Sequence, residues 1–182
     1  MLSDQVTLEL GRGPIHSFTD WPNPAVPTFG AGVYTIWHSD GRFIYVGMSG
    51  RGITAETIRR NTPQGLYTRL QSHASGRRSG DQFCVYVADR LVLPGLSRDE
   101  IDSIASGRHN MDAFVRRYIH ENLSYRFTML PDGAAAIRWK RQSSAVTGSM
   151  AVLCSIPASR NELKAPCVRA RNFGNGLEYG DR

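Results

Sequence analysis

Two tyrosines, one arginine and one histidine have types and spacings that could hydrolyse a phosphodiester. Tyr34 closes the tripeptide Gly32-Val33-Tyr34, and Tyr45, eleven residues later, opens Tyr45-Val46-Gly47. Arg69 and His73 follow at an i,i+4 spacing, which puts both on one helix face. Phosphodiester hydrolysis needs an activated water, positive charge at the phosphate and help for the leaving oxygen. Arg69 supplies permanent charge. A phenol can position water, but its ordinary pKa of about 10 makes it a poor base at neutral pH unless a nearby cation lowers it. His73 titrates near ~6.5 without help. Taken singly, the tyrosines fit cross-strand aromatic pairs and Arg69 a solvated helix residue.

These residues need a hairpin and a following helix to bring them together. Residues 32–37 are rich in β-branched and aromatic types and predict a strand. Asp40-Gly41 predicts the turn, and 43–47 the return strand. A loop over 48–53 carries Ser49, a candidate phosphate donor, between Met48 and Gly50. A helix is expected from Thr62-Pro63, with Thr62 as cap, Leu66 and Leu70 on its apolar face and Gly76 closing it.

The apolar run 82–93 predicts a central strand. Ser97 and Glu100 make a capping box for a helix buried through Ile101 and Ile104. Asn110 caps another helix to about 122, with Phe114, Val115, Tyr118 and Ile119 on its apolar face. A fourth strand is expected over 125–129 and a helix over 134–141. Four prolines between positions 14 and 27 predict a surface arm over 1–29, with 7–10 as a short edge strand. The expected architecture is therefore α/β: a small mixed β-sheet opened by an antiparallel hairpin and flanked by helices. The expected domain covers 30–141 with a helical insertion at 97–122, followed by an irregular tail over 142–182.

In this order the motifs resemble the GIY-YIG nuclease family, over roughly residues 30–93. Gly32-Val33-Tyr34 stands for the first tripeptide, Tyr45-Val46-Gly47 for the second, Arg69 for the helix arginine and His73 for the histidine one turn on. The resemblance implies a metal-dependent endonuclease acting on DNA, with Mg²⁺ or Mn²⁺ held by a glutamate on a later helix. The segment 134–141 carries no acid where that helix should lie, which leaves Glu121 and Glu162 as candidate ligands.

Charge agrees with a polyanionic partner. The 182 residues carry a net +6, and 51–80 holds Arg51, Arg59, Arg60, Arg69, Arg77 and Arg78 against Glu56 alone. Arginine's planar fork suits phosphate oxygens. Arg51, Arg59, Arg60, Arg77 and Arg78 are the candidate backbone contacts, to DNA or alternatively RNA. There is no P-loop motif, hence no nucleotide cofactor, and no H-E-x-x-H. Gly47-Met48-Ser49-Gly50-Arg51 misses the G-x-S-x-G hydrolase elbow at its last position. No apolar run reaches the ~18 residues of a membrane span. Three widely spaced cysteines fit no zinc or disulfide pattern, so a reducing, cytoplasmic setting is expected. Two function classes stand side by side: an endonuclease, or a nucleic-acid-binding module on the same scaffold that has lost hydrolysis. A third is an unrelated basic interaction domain.

Overall fold

The computed structural model describes residues 2–54, 57 and 63–145. Their order is α1 (Leu2–Arg12), β1 (His16–Ser17), β2 (Phe29–His38), β3 (Phe43–Ser49), β4 (Gln64–Gly65), α2 (Leu66–Ser75), α3 (Gln82–Val87), α4 (Arg98–Ala105), α5 (Met111–Asn122), β5 (Leu123–Leu130) and α6 (Gly133–Ala145). The strands run β1-β5-β2-β3, all antiparallel, and β4 adds a two-residue parallel pairing to β2. The protein is α/β, with the mixed sheet and opening hairpin that the sequence implies.

Strand β2 lies between β3 and β5 and is buried on both faces, so its sequence is apolar without alternation. Its odd-numbered positions face one helix layer. There Val33 joins Val6 and Leu10 of α1, Leu130, and Ala136 and Trp139 of α6. Thr35 is the polar member of that face, and its hydroxyl donates to the Leu10 carbonyl at 2.9 Å. The even positions face the other layer. Tyr34 and Ile36 pack there with Leu66 and Leu70 of α2, Phe83 and Val87 of α3, and Val115 and Ile119 of α5.

Four expectations are corrected. Residues 7–10 belong to helix α1, because Val6 and Leu10 repeat at i,i+4 and both are buried against the sheet. The first 29 residues are thus not simply a surface arm: Phe18 and Val26 also enter the core. Helix α2 starts at Leu66 rather than at Pro63. Gly65 sits at φ +87°, and a Cβ there would lie 2.0 Å from the Gly30 carbonyl oxygen, because residues 64–65 pair closely alongside β2 before the chain coils. Thr62 lies outside the described residues.

The third correction concerns 82–93, which is helical: α3, then a π-helical turn over Ala88–Val92 and a 3₁₀ turn over Leu93–Gly95. Phe83, Cys84, Val87 and Ala88 are buried and Tyr86 is exposed, a helical period that a short apolar run conceals. Last, Ile101 is exposed. Ser103 is the buried residue of α4, and Ile104 is half-buried against the core. The capping box of α4, the Asn110 cap and the left-handed Gly76 terminus form as expected. Among the described residues no helix is long and apolar enough to cross a membrane.

Candidate active site

The hairpin register decides where the two phenols go. Tyr34 pairs with Gly47, and Ile36 with Tyr45. Residues opposite one another share a face, and so do residues two apart, so both tyrosines point toward α2. Their ring centroids are 6.2 Å apart. Gly47 has a steric reason: a Cβ there would lie 2.2 Å from Cζ and the hydroxyl of Tyr34. The Tyr34 ring therefore lies across Gly47 and is sealed at 1% exposure, while Tyr45 is half-buried and reaches the surface.

Helix α2 brings His73 and Arg69 to the same place. Its start is fixed by Gly65, whose carbonyl accepts from the hydroxyls of Ser49 (2.7 Å) and Thr68 (3.0 Å). One helical turn apart, Arg69 is exposed and His73 is buried. His73 Nε2 is 2.7 Å from the Tyr34 hydroxyl, and its Nδ1 is 2.7 Å from Oδ2 of Asp81. Asp81 caps α3, with Oδ1 accepting from the Phe83 N–H at 3.1 Å, and Oδ2 also accepts from the Ser72 hydroxyl at 2.7 Å.

The proton positions follow from what each group can do. An ionised carboxylate only accepts, so Nδ1 of His73 carries the hydrogen. In a neutral imidazole Nε2 is then the acceptor, and the Tyr34 O–H donates to it. The result is a buried chain, Tyr34–His73–Asp81, with Tyr45 and Arg69 at its solvent end.

The ionisation shifts agree with that state. Burial lowers the His73 pKa below its ordinary value. The Asp81 carboxylate opposes this only partly, and the Arg69 charge adds to the lowering. Burial pushes the Asp81 carboxyl up, but the donors from His73, Ser72 and the Phe83 N–H outweigh it and hold the group low. Burial raises Tyr34 far above an ordinary phenol, with Tyr45 reinforcing the effect. Tyr45 is also raised by burial, though the Arg69 charge pulls against it.

His73 therefore protonates near pH 6.5 in the unfolded chain and only at lower pH in the fold. Its effect on stability is absent above that value and destabilises the fold as pH drops below it. Asp81 adds a second loss below about pH 3.8. Urea midpoints measured from pH 8 to pH 4 should hold steady to about pH 6.5 and then fall. A midpoint unchanged down to pH 5 would remove the buried neutral imidazole.

The chain matches no family model, no curated protein and no solved structure.

Tyr34, Tyr45, Arg69 and His73 converge. Asp81 was not anticipated, although an aspartate directly before an apolar run is a helix-cap signal. Ser49 lies at the end of β3, its hydroxyl engaged by Gly65. Arg51 is exposed just beyond, where its carbonyl abuts Gly133 at the start of α6. Arg77 is exposed after α2, whereas Arg78 pairs with Asp112 at 2.6 Å and clips α5. Arg59, Arg60 and Glu162 lie outside the described residues. Glu121 is exposed and leads into β5 at its hairpin end. The nearby Leu123 pairs with His38, four β2 residues and roughly 13 Å from Tyr34.

The donor set can be tested against a divalent cation, which takes oxygen ligands. Among the described residues no three His, Cys, Asp or Glu side chains gather. Asp81 is buried, and three donors already occupy its two oxygens. The described residues do not fit a resident Mg²⁺ or Mn²⁺.

Proposed function

We propose that this chain is an endonuclease of GIY-YIG type that hydrolyses DNA phosphodiester bonds. The observation that carries this reading is the buried Tyr34–His73–Asp81 chain ending at the Tyr45 and Arg69 surface. A structural aromatic cluster would need neither a neutral, oriented imidazole nor an unneutralised guanidinium beside two phenols.

Each residue then has a task. Arg69 holds the scissile phosphate and neutralises charge that develops on it. Tyr45, the phenol at the surface, positions the attacking water. Tyr34 relays: as its oxygen takes a proton from the water side, its own hydroxyl proton passes to Nε2 of His73. Asp81 keeps Nδ1 protonated, so Nε2 stays free to receive. His73 is suited to this role because burial keeps it neutral at physiological pH, so Nε2 has a lone pair to accept the proton. Arg51 extends positive charge beyond the end of β3, and Arg59 and Arg60, outside the described residues, are proposed as further phosphate contacts. A cytoplasmic setting is proposed from the cysteine pattern.

The resemblance implies a divalent cation, whose oxygen ligands the described residues do not gather. That same observation favours a second reading, a binding module that retains the scaffold without hydrolysis. Nicking of supercoiled plasmid, with Mg²⁺, Mn²⁺ and chelator arms, separates the two.

A further inference from the structure

On the flank of α2 away from Arg69, a groove of about 700 Å³ opens between the Trp21-Pro22 segment, α2 and α5. Gln71 is two residues from Arg69, so about 200° of helix rotation separates them. The groove also takes in Thr68 and Ser72, whose hydroxyl donates to Asp81, so it borders the site without including Tyr45 or Arg69.

We infer that this groove binds an unpaired nucleotide of a nucleic-acid strand, its base stacked on the Trp21–Tyr67 pair and its phosphate held by Arg77 and Arg116. The rings of Trp21 and Tyr67 lie 5.2 Å apart, each half-buried against the core and lining the groove. Gly76 brings the two arginines together. It ends α2 at φ +70°, and a Cβ there would lie 2.5 Å from the Arg116 nitrogen, so α2 and α5 touch through backbone at that point. Arg77 follows directly, and both guanidinium groups belong to exposed residues.

Both arginines line the groove, so an anion seated there would meet two positive charges. Their neighbour Arg78 has Asp112 for a partner. Among the described residues Arg77 and Arg116 have no carboxylate within ion-pair distance, and no acid lines the groove. Exposed Gln71, between the aromatic pair and the arginines, offers an amide to a base edge. The volume lies within the range of small-ligand sites.

The chemistry selects an unpaired strand. In a duplex both faces of every base are covered by neighbours, whereas a single strand can lay a base on an aromatic ring. This inference rests on the nucleic-acid-binding part of the proposed function and not on hydrolysis.

The chain carries its own reporter. Of its three tryptophans, Trp37 and Trp139 are 7% and 5% exposed, so Trp21 is the indole a ligand can reach. The full chain is titrated with single-stranded DNA of about 12 nucleotides, the matching duplex, and a free mononucleotide. Anisotropy of a dye on the strand reports binding independently.

The single strand should quench tryptophan emission, and salt should reverse the quenching. Arg77→Ala and Arg116→Ala should each weaken the strand several-fold and reduce the log–log salt slope by roughly 0.7. Tyr67→Leu should weaken it about tenfold while the duplex signal stays flat. Strand binding by anisotropy without quenching overturns the groove assignment and leaves the nuclease reading standing. Quenching without plasmid nicking does the reverse. Equal quenching by duplex, or a mononucleotide bound as tightly as the strand, overturns the unpaired-strand claim. No binding by any of the three overturns the inference together with the nucleic-acid reading.

Discussion

Arg69→Ala should abolish plasmid nicking, with a fall of at least about a hundredfold, while the urea midpoint moves by no more than about 0.5 kcal/mol in stability. The two halves of this expectation come from one placement. Arg69 is exposed and makes no ion pair or side-chain hydrogen bond among the described residues, so the fold loses little with it. Yet its charge reaches Tyr34, Tyr45 and His73, the three groups of the site that carry or receive protons. A phosphate seated there would meet a full positive charge beside the phenol that holds the water. Arg69→Lys should restore only part of the rate, because an ammonium lacks the planar fork. Full activity in Arg69→Ala would move the phosphate elsewhere.

Asp81 should give the largest effect on stability and a comparable one on activity. Asp81→Ala removes the helix cap of α3 and leaves the buried Nδ1–H of His73 without its acceptor, while the half-buried Ser72 hydroxyl can turn to solvent. An unmet buried donor costs about 1–3 kcal/mol and a lost cap about 1, so a total near ~3 kcal/mol is expected. Asp81→Asn keeps the shape and separates the roles. It should stay folded at pH 8, yet its amide no longer enforces the Nδ1–H tautomer, so nicking should fall at least about a hundredfold. The imidazole nitrogen shifts in an NMR spectrum would report the tautomer directly. Unaltered His73 shifts together with wild-type nicking would reduce Asp81 to a cap.

The hairpin was legible because several local signals agreed. Asp40-Gly41 specifies the turn, and the aromatic and β-branched types on either side specify strands, but the shared face of Tyr34 and Tyr45 depends on the register that sets Ile36 opposite Tyr45. Arg69 and His73 were legible from their i,i+4 spacing, even though the helix begins three residues later than its proline suggests. Asp81 is not legible because 82–93 reads as a strand. Val85, Val87 and Val92 have β propensity, and only packing on α2 and α5 reveals that Phe83, Cys84, Val87 and Ala88 form one helical face. Once that segment coils, Asp81 becomes a cap and falls eight residues from His73 in sequence but within hydrogen-bond reach in space. The opening helix was hidden in a similar way, since the prolines after Arg12 dominated the reading of a segment whose Val6 and Leu10 carry the helical period. Pairings such as Arg78 with Asp112 depend on contacts between distant elements and leave no local pattern.

The most direct test of the hydrolytic site is conversion of supercoiled plasmid to relaxed circles by the full chain. Wild type and Arg69→Ala are run side by side with Mg²⁺, Mn²⁺ or a chelator. The proposed endonuclease predicts relaxed circles from wild type in at least one arm and none from Arg69→Ala in any. Supercoiled plasmid left intact by wild type in every arm, while the chain binds the same DNA in a salt-sensitive way, would contradict hydrolysis and leave the binding module.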